Sequence, residues 1–157
     1  MTDATDGMKP EDQLRMTQAV VSMLLFGLLM FSAVFSFVQY EKPIAPGLTN
    51  AIALEIGVIA IVVVAAAGLL LKTLSLRTLK PEQPFRQMQI AYVVFAALQE
   101  GAGMVNGAFM LLMTKQLALG WSLNLIPIGL ILLNFPTQFK FDDHLGERGR
   151  IGFKNKS

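Results

Sequence analysis

Four long apolar runs, almost empty of charge, constrain this chain more than any other feature. They cover residues 16–39, 51–71, 89–113 and 117–135, and only Glu55 and Glu100 interrupt them with charge. Each is about 19 to 25 residues long, and at ~1.5 Å per residue a helix of that length crosses a hydrocarbon layer of ~30 Å. Lipid offers no hydrogen bonds to the backbone, so a spanning segment must satisfy its own amides and carbonyls, which a helix does. The expected fold is therefore all-α, a polytopic integral membrane protein built as a four-helix transmembrane bundle of two hairpins. Composition agrees: 54% of residues are hydrophobic and 15% charged, against roughly 25% charged in soluble chains.

The remaining segments read as links and ends. Residues 1–15 form an N-terminal segment, 16–135 the four-span membrane domain and 136–157 a basic tail. The acidic start (Asp3, Asp6, Glu11 and Asp12 against Lys9 and Arg15) and the long first run suit a permanent span rather than a cleaved signal. Residues 40–50 read YEKPIAPGLTN, and Pro81 and Pro84 break the second link. Only Thr114, Lys115 and Gln116 separate the last two runs, so these should form a tight antiparallel pair.

Orientation follows from the basic residues. With the N-terminus inside, all of the 13 lysines and arginines except Lys42 and Lys115 lie in inner segments. The positive-inside rule then places both termini in the cytoplasm, with Tyr40 and Trp121 at the outer headgroup level. A multi-pass protein of a bacterial cytoplasmic (inner) membrane is expected.

The third run carries the polar chemistry. At about 100° per residue, Gln89, Val93, Ala96, Glu100, Gly103 and Gly107 fall on one stripe, flanked by Gln99 and Asn106. Gly103 and Gly107 have the small-xxx-small spacing that lets membrane helices approach closely. Glu100 then sits on a contact face, roughly 18 Å from the inner end of its helix. A carboxylic acid that keeps its proton escapes much of the cost of burial in lipid and can donate a hydrogen bond; Gln99, Asn106 and Tyr92 are candidate acceptors. Two roles stay open: an ion-handling group formed by Glu100, Gln99 and Asn106, or a structural tie between helices.

On the second run the small stripe is Ala53, Gly57, Ala60 and Ala67, with Gly57 and Ala60 as packing positions. Glu55 points away from it, near the outer end, where it can reach water, with Lys42 or Lys115 as outer partners. Pro127 should kink the last run, with Ser122 and Asn124 near enough to satisfy the opened backbone.

Residues 91–113, AYVVFAALQEGAGMVNGAFMLLM, resemble the acid-bearing helix of the rotor-ring proteolipids of F- and V-type ATPases, as does the preceding loop ending in Phe85, Arg86 and Gln87. The resemblance implies that Glu100 is the ion-carrying acid and that copies of the chain assemble into a ring. The chain departs from that family in three ways. The second run offers only Gly57 and Gly68 where the family is glycine-rich, the last run has no acid, and both termini are expected on the opposite side.

Other chemistries are poorly served. There is no cysteine, so thiolate metal sites and cysteine nucleophiles are excluded. His144, Asp142, Asp143 and Glu147 cluster in a glycine-bearing tail that reads as solvated. Phe139, Phe141, Ile151 and Phe153 lie there among lysines and arginines, a composition suited to anionic lipid headgroups. Zinc-protease and phosphate-loop motifs are missing, and the net charge of +2 gives nucleic acid little to hold. No cofactor, no metal and no enzymatic activity are expected. The expected role is a small membrane subunit or scaffold that associates through its small-residue helix seams, with the lipid bilayer and either further copies or another membrane protein as partners. A proton- or cation-translocating protein is the alternative.

Overall fold

The computed structural model describes residues 10–41, 50–79, 84–112, 117–143 and 146. Among these the chain is helical and holds no strand. Helix α1 is Pro10–Glu41, α2 is Asn50–Arg77, α3 is Pro84–Asn106, and α4 is Leu117–Leu133. A π-helical segment, Gly107–Leu112, continues α3. Proline opens both α1 and α3, where its missing N–H is no loss. Glu11 and Asp12 in the first turn of α1 and Arg77 in the last turn of α2 oppose the partial charges of the helix ends.

Three helices are long and apolar enough to cross a membrane: Glu11–Tyr40, Leu54–Arg77 and Pro84–Phe109. They overrun the expected spans at the charged ends, since Lys72 and Arg77 continue α2 and Pro84–Met88 begin α3. The fourth run gives a shorter helix of 17 residues, ending at Leu133 rather than Phe135. Pro136 accounts for the early stop, because a proline disfavours helical geometry in the residue before it. The chain turns through Asn134 and Phe135, whose amides donate to the carbonyls of Leu130 and Leu132 at 3.0 and 3.2 Å. A further helical turn follows at 138–143.

Helix α3 is the centre of the packing and touches α1, α2 and α4. At one end of the molecule, Leu79, Met88, Tyr92 and Phe141 form a buried cluster, joined by Leu14, Leu76 and Phe85. That end therefore gathers the starts of α1 and α3 with the ends of α2 and α4. A second cluster, Val21, Leu28, Ala96, Ile128 and Ile131, binds α1, α3 and α4. Large apolar side chains also cover the outside, among them Met23, Phe26 and Phe37 on α1 and Ile59, Val62 and Leu70 on α2. Apolar surface this extensive is costly in water and favourable in lipid.

Two packing faces differ from the expected stripes. On α3 the buried residues include Met88, Tyr92, Phe95, Ala96, Gln99, Ala102, Gly103 and Asn106. The centre of that face lies about a quarter turn from the stripe through Gln89, Val93 and Glu100. Small residues alone locate a close approach, whereas the large Tyr92 and Phe95 fill the wider gaps beside it. On α2 the buried line is Gly57, Ile61, Ala65, Gly68 and Lys72, with Ala60 half-buried and Ala67 exposed. The expected Ala53–Ala67 stripe is thus displaced toward the side that carries Gly68. The side chain of Ala53, the link through Thr114–Gln116, Lys42, Lys115, His144 and the tail from Glu147 onward lie outside the described residues.

Candidate functional site: the polar face of the third helix

Tyr92, Gln99 and Asn106 recur at seven-residue intervals, so they form one line along the buried face of α3. Each meets a different environment. Near the start of α3, Tyr92 stacks on Phe141 with ring centroids 5.5 Å apart. The ammonium of Lys72 lies 4.2 Å from the centre of the Tyr92 ring and 5.3 Å from that of Phe95. Lys72 is only 8% exposed, and it donates to Asn134 Oδ1 at 2.8 Å. A buried ammonium is held here by two aromatic faces and an amide oxygen, a cation–π arrangement that ties α2 to α3 and to the end of α4. Lys140 donates to the carbonyls of Leu133 and Phe135, the last free acceptors after α4.

Midway along α3, Gln99 is fully buried, and neither its Nε2 nor its Oε1 has a hydrogen-bond partner among the described residues. Its amide faces Gly68 of α2: a Cβ placed on that glycine would lie 2.8 Å from Gln99 Nε2. Glu100, the next residue, is half-buried and faces α1. A Cβ on Gly27 would lie 2.7 Å from Glu100 Oε1. Glycine at 27 and at 68 is what admits these two side chains between the helices.

Further out, Asn106 donates to Gly120 O at 3.0 Å and to Asn124 Oδ1 at 2.7 Å. Asn124 Nδ2 in turn donates to Ser32 Oγ at 2.8 Å, and Ser32 donates to Leu28 O at 2.8 Å. One polar chain thus ties α3 to α4 and α4 to α1, entirely within the buried interior. One turn beyond Ser32, Trp121 Nε1 donates to Ser36 Oγ at 2.9 Å. Asn124 therefore serves its neighbours rather than the backbone opened by Pro127. Ser122 does not serve that backbone either, since its hydroxyl donates to Ala118 O.

The glycines of α3 complete the picture. A Cβ on Gly103 would overlap Leu28 Cδ1, and one on Gly107 would meet the ring of Phe31 at 3.4 Å. Both face α1 of the same chain. Ala96 is buried beside them. Glu55, near the start of α2, is exposed.

Glu100, Gln99 and Asn106 are therefore not brought together: the first faces α1, the second α2, the third α4. Lys72, Asn134 and Ser32 carry no signal in the sequence, and Asn124 joins Asn106 to Ser32 rather than serving Pro127. Lys72 was counted as a loop cation because it follows the apolar run directly, and serine and asparagine on other spans carry no spacing signal of their own. The seven-residue spacing from Tyr92 to Asn106 was the one available clue to the polar line. No protein-family model matches the chain, and searches of curated proteins and of solved structures find no match either.

Proposed function

We propose that this chain is a small non-enzymatic integral membrane protein, a subunit or scaffold whose interior polar groups join its own helices. It crosses a bacterial cytoplasmic membrane four times with both termini inside. One observation carries the reading: Gln99, Glu100 and Asn106 face three different helices, so they do not converge as ligands of one ion would, and Asn106 ties α3 to α4. Polar side chains hydrogen-bonding across helices are a recognised source of cohesion in lipid. The glycines expected to seat a partner are occupied within the chain. A second copy or another membrane protein therefore contacts the lipid-facing side, not the Gly103–Gly107 seam.

Four spans include α4, which at ~1.5 Å per residue reaches roughly 26 Å and gains length from the turn at Asn134. Reporter domains fused to each terminus test the topology. Activity of both only on the cytoplasmic side is the expected result, and an outer C-terminus would reduce the span count to three.

A second reading, proton or cation translocation through Glu100 as in the rotor-ring resemblance, has one observation in its favour. Gln99, the residue before Glu100 in the chain, has two buried polar atoms without partners among the described residues, and such atoms are where an ion or water would bind.

A further inference from the structure

At the inner end of the molecule lies a cavity of about 360 Å³ between the first turns of α1, the start of α3 and the helical turn at 138–143. Its size falls within the range of small-ligand sites, ~300–1,000 Å³. Glu11, Leu14, Arg15 and Gln18 line it from one face of α1, spaced three and four residues apart. Phe85 closes it from α3, and Phe141 and Asp142 from the last turn. Gln18 Nε2 donates to Pro136 O at 2.9 Å, which fixes the α1 wall against the segment that carries Phe141. Phe141 itself is buried and stacked on Tyr92, so the floor is apolar and rigid.

The charges around this floor are one cation, Arg15, and two carboxylates, Glu11 and Asp142. All three side chains are exposed, and none is ion-paired among the described residues. A purely anionic ligand on Arg15 would meet two like charges, and a purely cationic one would meet the guanidinium. A ligand bearing both signs satisfies all three. Its position narrows the source. Arg15 is the last charge before the apolar run of α1, so the cavity opens at headgroup depth. We propose that this cavity binds the headgroup of a zwitterionic phospholipid with a primary ammonium, as in phosphatidylethanolamine. Its phosphate sits on Arg15 through paired N–H donors. Its ammonium lies between Glu11 and Asp142, against the face of Phe85. The proposal rests on the membrane reading above.

The test is native mass spectrometry of the full chain released from nanodiscs of phosphatidylcholine with equal parts phosphatidylethanolamine and phosphatidylglycerol. The expected result is retention of phosphatidylethanolamine over phosphatidylglycerol by about tenfold, the effect of one charge-assisted contact. Arg15→Gln, and separately the double variant Glu11→Gln with Asp142→Asn, bring that ratio close to one. Asp143→Asn, an exposed carboxylate outside the cavity lining, leaves it unchanged. All these side chains lie at the surface, and unaltered helical circular dichroism confirms that the variants fold. Equal retention of both lipids, or a preference that survives Arg15→Gln, overturns the site. Displacement of the lipid by micromolar glycerophosphoethanolamine overturns the lipid assignment in favour of a soluble zwitterion. Inserted protein without selectivity refutes only this site, whereas protein that never enters the nanodiscs refutes the membrane reading with it.

Discussion

Asn106 and Gln99 stand on the same buried face of α3, two turns apart, yet the amide nitrogen of Asn106 makes two hydrogen bonds, while its oxygen and both polar atoms of Gln99 have no partner among the described residues. Asn106 meets α4, which offers two oxygens: the backbone carbonyl of Gly120 and the side-chain amide of Asn124. Gln99 meets α2 at Gly68, between Ala65 and Lys72, and the ammonium of Lys72 is engaged by Asn134 and the Tyr92 ring. Both residues are helical, Gln99 within α3 and Asn106 at its end, against the π-helical segment. What differs is the chemistry of the opposing helix. An amide in lipid becomes a tie only when the neighbour supplies a partner, and otherwise it is a buried cost of about 1–3 kcal/mol.

The largest perturbation removes the frame that both amides share. Gly103 lies between them and against Leu28, so Gly103→Leu should lower stability in detergent by about 3 kcal/mol, as overpacked cores do, or prevent folding. Gly101, whose missing Cβ meets nothing within 4 Å, is the control: Gly101→Leu should change stability by less than about 0.5 kcal/mol. Equal effects would show that α3 does not pack on α1 through this face.

Next, Asn124→Leu strips the acceptor from Asn106 and the donor from Ser32. A loss of about 1–2 kcal/mol is expected, near the upper range for hydrogen bonds between membrane helices. Gln99→Leu should behave in the opposite way. It replaces two unpartnered polar atoms with an apolar side chain of similar size, so stability should hold or rise by up to about 1 kcal/mol. A large loss in Gln99→Leu would break the comparison, because it would reveal a partner for that amide. The smallest effect belongs to Glu100→Gln, which keeps shape and hydrogen-bonding capacity. Unfolding within about 0.5 kcal/mol of the parent chain is expected.

The helices were legible in the sequence because hydrophobic length is a property of each segment alone. Thus α1, α2 and α3 fall where the apolar runs lie, and their extra turns are charged ends that a hydropathy reading trims. The short end of α4 needed the local effect of Pro136 as well. The packing faces were less legible. The small-residue rule found Gly103 and Gly107, which do meet another helix, but it could not place Tyr92 and Phe95, whose bulk fills the gaps around them. Pairwise chemistry was not legible at all. Lys72 meets Asn134, and Asn106 meets Asn124, only because α4 returns beside α2 and α3, and no single segment records that return. The same limit explains why Glu100, Gln99 and Asn106 read as one group: they are close in sequence, and adjacent residues on a helix face different neighbours.

On the proposed function, Gln99, Glu100 and Asn106 face three separate helices and form no ion path. The decisive experiment is ion flux through liposomes containing the purified protein, with pH- and cation-sensitive dyes and Glu100→Gln alongside. Proton and alkali-cation rates in parent and variant should equal those of protein-free vesicles. Flux carried by the parent chain and lost in Glu100→Gln, with both proteins folded and inserted, would contradict the proposed function.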